Sequence, residues 1–254
     1  MVVPSGTRLL RRMSSRLSTN GRVGTGRCTY GSLSSGRGPE MFSTEYADWI
    51  RHSDPGNDVA VYRWSISDEF DHAAWPMTAQ LIDDVAEGFH IGPGDNVFFL
   101  GLFSELSGHE RNIPIVRAGN IAAKCKEPVW LKDVDASIGE SFLIEARSTG
   151  GVSGAPVFVH LGQMRLLTEE QQRRVVTFRG IPIYWMGMIH GHYDVRSRAG
   201  RRGRHPINMG IALVVPHERI VDVVRSAEEV AWRKGVARAS KETSRRVRFT
   251  SPRI

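Results

Sequence analysis

From Asn96 onward the chain alternates short apolar runs with polar breaks. Val97-Phe98-Phe99-Leu100-Gly101-Leu102-Phe103 predicts a strand, and the polar stretch from Ser104 to Asn112 predicts a loop. Ile113 to Arg117 predicts a second strand, which Gly119 to Ala123 either continues or follows. Pro128 to Leu131, Ser141 to Glu145, Pro156 to Val159, a long run from Ile181 to Gly191 and a last one from Ile207 to Val215 complete the series. Such strands, with turn signals between them and no helical period, argue a barrel or a sandwich. The charged stretch from Leu166 to Gly180 predicts an exposed excursion with one or two helical turns. After Pro216, residues Ile220, Val221, Val224, Ala227, Ala231 and Trp232 recur with helical period, and a proline at the start suits a helix.

Upstream of Asn96 the pattern is weaker. Phe42, Tyr46, Trp49 and Ile50 suit a short helix or a strand edge, and Asp54-Pro55-Gly56-Asn57 is a turn signal. Asp58-Val59-Ala60-Val61-Tyr62-Arg63-Trp64 is a β-rich run that begins, unusually, with an acid. Residues 65–78 predict a polar loop. Leu81, Ile82, Val85 and Phe89 predict a short helical connector before the break at Gly92-Pro93-Gly94-Asp95. Residues 1–38 show no lasting period, and 21 of them are Arg, Ser or Gly, which predicts disordered chain. The same composition also fits a transit-peptide-like segment or an out-of-frame translation of a GC-rich gene. The expected division is a tail over 1–40, a small β unit over 41–91, a larger β unit with a C-terminal helix over 92–232, and a basic tail over 233–254.

Charge sharpens this division. The chain has 254 residues and a net charge of +7. Residues 1–38 carry +7 and residues 233–254 carry +7, which leaves −7 for the span 39–232. The basic balance therefore belongs to the two ends. Nucleic-acid binding would call for a basic face within the fold, interleaved with aromatics. The internal run from Arg196 to Arg204 predicts instead a solvated loop, so nucleic acid is not an expected partner. No apolar run reaches the roughly 18 residues of a membrane span. Two cysteines, Cys28 and Cys125, make no disulfide framework, which suggests a reducing, cytoplasmic setting. His190-x-His192 puts two histidines on one side of a strand, but no third ligand is identifiable, and neither a metal nor a cofactor is expected.

The stretch with the most chemical content is Ser148-Thr149-Gly150-Gly151-Val152-Ser153-Gly154-Ala155-Pro156. Its glycines allow backbone angles that a Cβ forbids. Such a turn aims successive N–H groups into one small space, which suits an oxyanion. A serine hydroxyl beside those donors is a candidate nucleophile. An ordinary Gly/Ser turn between two strands has the same composition.

Three segments, in order, resemble the trypsin-like (chymotrypsin-fold) serine peptidases, particularly the bacterial cytosolic or HtrA-like type. Asp58-Val59-Ala60-Val61 resembles the strand of the catalytic aspartate. Gly150-Gly151-Val152-Ser153-Gly154-Ala155-Pro156-Val157 resembles the nucleophile loop, with Ala155 where glycine is commoner. Gly187-Met188-Ile189-His190-Gly191, followed by Met209 to Pro216, resembles the strand beside the substrate and the closing strand. The resemblance spans about residues 48–232 and implies an all-β fold of two six-stranded antiparallel barrels, the first incomplete, with a C-terminal helix. It implies a Ser-His-Asp endopeptidase acting on polypeptides. Ser153 would be the nucleophile, Asp58 would orient a histidine, the N–H groups of Gly151 and Ser153 would form the oxyanion site, and Gly191 would lie along the substrate backbone. Arg147, six residues before Ser153, would fall near the pocket that selects the substrate side chain.

The chain departs from the family at the histidine. The resemblance places it several tens of residues before the aspartate, whereas His52 is only six residues before Asp58 and reads as a loop residue. Residues 41–89 are also short for six strands, which need about 60–80 residues. Two readings follow. Either an active enzyme has its histidine-bearing segment replaced by the Arg/Ser/Gly tail, or the chain is a catalytically silent, peptide-binding member of the fold.

Overall fold

The computed structural model describes residues 25–32, 39–63, 75–102, 113–131, 136–147, 152–169, 172–196 and 206–250. Two small β pairs come first. Strand β1 (Thr25–Ser32) pairs antiparallel with β2 (Pro39–Glu45). A single 3-10 turn, Tyr46–Asp48, leads into β3 (Trp49–Arg51), which pairs with β4 (Ala60–Tyr62). The expectation of disordered chain up to residue 38 is therefore corrected at Thr25–Ser32, where Cys28 pairs with Phe42 and Gly26 with Thr44. The remainder of that stretch lies outside the described residues.

After helix α1 (Asp83–Gly88) the chain builds one closed antiparallel barrel. Its strands are β5 (Asn96–Leu102), β6 (Pro114–Cys125), β9 (Ser141–Glu145), β10 (Pro156–His160), β13 (Ile183–Arg196) and β14 (Pro206–Pro216). The order around the barrel is β10-β13-β14-β9-β6-β5, and pairing of Val157 with Phe99 closes it. A short pair, β7 (Val129–Leu131) and β8 (Ala136–Ile138), and a hairpin, β11 (Met164–Glu169) and β12 (Gln172–Thr177), project from the barrel. Two helices follow, α2 (His217–Val224) and α3 (Ala227–Thr250). Among the described residues there is this one closed barrel; β1 to β4 form separate two-stranded pairs and close nothing.

Two apolar layers explain the long hydrophobic runs. Inside the barrel pack Val97, Phe99, Ile144, Val157, Met186 and Val214, all at most 2% exposed. Outside it, Phe158, Trp185, Met188 and Val215 pack with Val59 and Val61 of β4 and with Ile220, Val221 and Val223 of α2. Strands β10, β13 and β14 are thus covered on both faces, and strands covered on both faces read as nearly continuous apolar sequence rather than as an alternation. This second layer seats β4 against the barrel.

Two further expectations are corrected. The charged stretch after Leu166 is a β-hairpin, with Leu166 opposite Val175 and Thr168 opposite Arg173. Glu, Gln and Arg have low strand propensity, so propensity alone mistakes a paired ribbon for a helical turn. Arg165 anchors the hairpin through two bonds to the Asp95 carboxylate, at 2.6 and 2.9 Å. The basic segment from residue 233 is helical rather than irregular, because α3 runs through it to Thr250. Residues 197–204 of the expected basic loop from Arg196 to Arg204, and residues 65–74 of the expected polar loop over 65–78, lie outside the described residues.

Candidate active site

Asp58 is held by the turn that precedes it. Asp54 accepts the Asn57 N–H on its carbonyl at 3.1 Å, and its side chain accepts the Gly56 N–H and the Asn57 amide, both at 2.8 Å. Asn57 is buried, and Val59, 2% exposed, enters the outer apolar layer. Asp58, between these anchors, keeps a 36% exposed side chain, and its Oδ2 lies 3.2 Å from Nε2 of His190.

His190 comes from β13. Side chains alternate along a strand. Ile189 enters the barrel core, while Met188 belongs to the outer layer with Val59 and Val61. Pairing with β14 shifts register between Ile189 and Gly191, and His190 is the residue at that irregularity; its imidazole meets Asp58 at the end of β4. Its side chain is 9% exposed. The sequence reading singled out His190 only as half of a weak metal pair, and His192 lies on β13 opposite Ala212.

Ser153 is fixed from below. Val152 and Ala155, at 2% and 3% exposure, are built into the barrel core. The Ala155 N–H closes a tight turn onto the Val152 carbonyl at 3.0 Å. Gly154 has φ of 86°, a left-handed conformation that glycine adopts without the Cβ clash. Its N–H donates to the Ile189 carbonyl at 2.6 Å, and the Ile189 N–H donates to the Ala155 carbonyl at 2.9 Å. Gly154 and Ala155 together therefore oppose the single residue Ile189, which is the count of a β-bulge. The next residue out on each side is Ser153 on the turn and His190 on β13. By this backbone pairing the half-buried serine lies alongside the middle of β13, where the imidazole meets the Asp58 carboxylate.

The other candidates are distributed differently. Gly151 lies outside the described residues, together with 148–150. Gly191 pairs with Leu213 of β14, and a Cβ added to it would meet nothing within 4 Å. Pairing of β10 with β13 ends at Met188, so no other described strand bonds to the outer edge of β13 beyond the bulge. His52 does not approach Asp58: its Nδ1 accepts the Asp54 N–H at 3.0 Å and its Nε2 lies 3.6 Å from Asp222 of α2. Arg147 is exposed, and its carbonyl accepts a bond from Arg117 at 3.0 Å. It lines a surface cavity of about 970 Å³ with Arg117, Asn120 and Gly210, to which Ser153, Asp58 and His190 do not contribute. The convergence of reactive groups lies away from that cavity.

Chemically, a carboxylate against an imidazole beside a serine on a glycine turn is the donor set of acyl transfer. The glycine at 187 makes the arrangement possible from behind. A Cβ there would stand 2.0 Å from the Val215 carbonyl oxygen, so only glycine lets β14 lie this close to β13. No protein-family model matches the chain, and no curated protein matches it.

Proposed function

We propose that this chain is a serine endopeptidase of the trypsin-like kind. The observation that carries the reading is the arrival of the Asp58–His190 pair, at 3.2 Å, on the strand to which the Ser153 turn is bolted. Ser153 attacks the carbonyl carbon of a peptide bond. The N–H groups of Gly151 and Ser153 receive the developing oxyanion, where fixed donors act most strongly. The substrate backbone adds to the outer edge of β13 near Gly191, where an extended peptide meets N–H and C=O groups that β10 does not use. The test is labelling of the purified chain by a fluorophosphonate, with Ser153→Ala as the control. Labelling of the parent and none of the variant is expected; equal labelling of both, or none of either, rejects catalytic competence.

A second reading, a peptide-binding protein without turnover, is favoured by one observation. The histidine upstream of Asp58, His52, is held by Asp54 and Asp222 instead. Peptide affinity that survives Ser153→Ala, with no cleavage by the parent chain, would support it.

A further inference from the structure

We infer that His190, and not a histidine upstream of Asp58, is the general base that activates Ser153. This rests on the peptidase reading above and names the group that reading leaves open. Three observations carry it. The Nε2 of His190 is 3.2 Å from the Asp58 carboxylate, which is the contact that orients an imidazole and stabilises its charged form. The bonds of Gly154 and Ala155 to Ile189 make Ser153 and His190 the next residues along the two paired backbones. His52, six residues before Asp58, is committed to other partners.

With Nε2–H donated to Asp58, the nitrogen that serves the serine is Nδ1. As the Ser153 Oγ–C bond forms, the hydroxyl proton moves to Nδ1 and the carbonyl oxygen becomes an oxyanion. As the C–N bond breaks, Nδ1 returns that proton to the leaving amine. In the second half, water gives a proton to Nδ1 while its oxygen bonds to the acyl carbon, and Ser153 Oγ departs with that proton. No oxidant, metal or further co-reactant enters. Compared with the usual triad, the two ring nitrogens exchange roles, because the imidazole approaches from β13 rather than from the first barrel.

The experiment measures the rate of Ser153-dependent fluorophosphonate labelling in the full chain. His190→Gln is expected to slow labelling by about 10²- to 10⁴-fold, the usual worth of a positioned base. His190→Gly is expected to regain part of that rate when imidazole is added, which a merely structural histidine would not show. Asp58→Asn, a near-isosteric change at a side chain 36% exposed, is expected to keep the fold, checked by its melting temperature, and to slow labelling as well. Labelling by folded His190→Gln at the parent rate overturns the assignment and leaves the peptidase reading standing. An unchanged rate in Asp58→Asn overturns it also, even where the His190 variants fail to fold. Absence of labelling in the parent chain rejects the peptidase reading itself and the base with it.

Discussion

Burial of His217 makes the stability of the fold depend on pH in a defined window. The residue opens α2, is 2% exposed, and lies with its ring 5.6 Å from that of Trp185. Burial pushes its pKa down to about 4 from the 6.5 ordinary for an exposed imidazole, against a smaller upward pull from its hydrogen bond to the backbone of Met186. The unfolded chain therefore binds a proton between about pH 6.5 and 4 that the folded chain refuses. The stability contributed by neutral His217 is complete above the unfolded value and is lost as the pH falls towards the folded one. Between pH ~7.5 and pH ~4.5 this amounts to about 2 kcal/mol. Glu218 works against it, because burial raises its pKa, and a raised carboxyl stabilises the fold on the acid side. Glu218 Oε2 lies 3.2 Å from His217 Nδ1, so Glu218→Gln is carried in both chains compared, and subtraction then removes the more distant groups. Urea unfolding, followed by tryptophan fluorescence at the two pH values, is compared for the parent chain and His217→Gln, each on that background. The parent is expected to lose about 2 kcal/mol more than the variant on acidification. Equal losses would show that His217 titrates in the folded chain as it does in water, and would refute the argument from burial. The effect bears on the site because α2 covers the outer layer that also holds Met188 and β4.

Two other perturbations test the supports of the site. Gly187→Ala places a Cβ 2.0 Å from the Val215 carbonyl oxygen and 3.1 Å from Val214 Cγ1, so a clearly lower melting temperature is expected, whereas Gly191→Ala, with open space around it, is expected to melt as the parent does. Arg63 reaches the 3% exposed Glu229 through Nε at 2.9 and 3.2 Å and ties α3 to the strand after Asp58. Arg63→Leu strands a buried carboxylate and should lower the melting temperature, and Arg63→Leu/Glu229→Leu should recover part of that loss, since an unpaired buried charge costs more than an apolar pair. A double variant less stable than Arg63→Leu would refute the account.

The barrel strands were legible because their physics is local. Val97 to Leu102, Ser141 to Glu145 and Pro156 to Val159 are apolar runs between glycine, proline and polar breaks, and each is a strand within a residue or two. The turn at Asp54 to Asn57 and the helix after Pro216 were legible for the same reason. The hairpin of β11 and β12 was not, because its strand form comes from cross-strand pairing and the Arg165–Asp95 anchor, which are absent from its own composition. The helical continuation of α3 through the basic residues was missed in the same way, since a charge count says nothing about backbone form.

The sequence by itself determined that Ser153 sits on a glycine turn between two strands, and that an acid, Asp58, opens a β run far upstream. It also determined that no histidine stands at the expected distance before that acid. Only the tertiary structure decided which imidazole Asp58 meets. That partner is 132 residues away on β13, and its approach depends on the register shift between Ile189 and Gly191 and on an outer apolar layer that seats β4. A contact between residues so distant along the chain is fixed by packing of whole elements and leaves no trace in the spacing of neighbours.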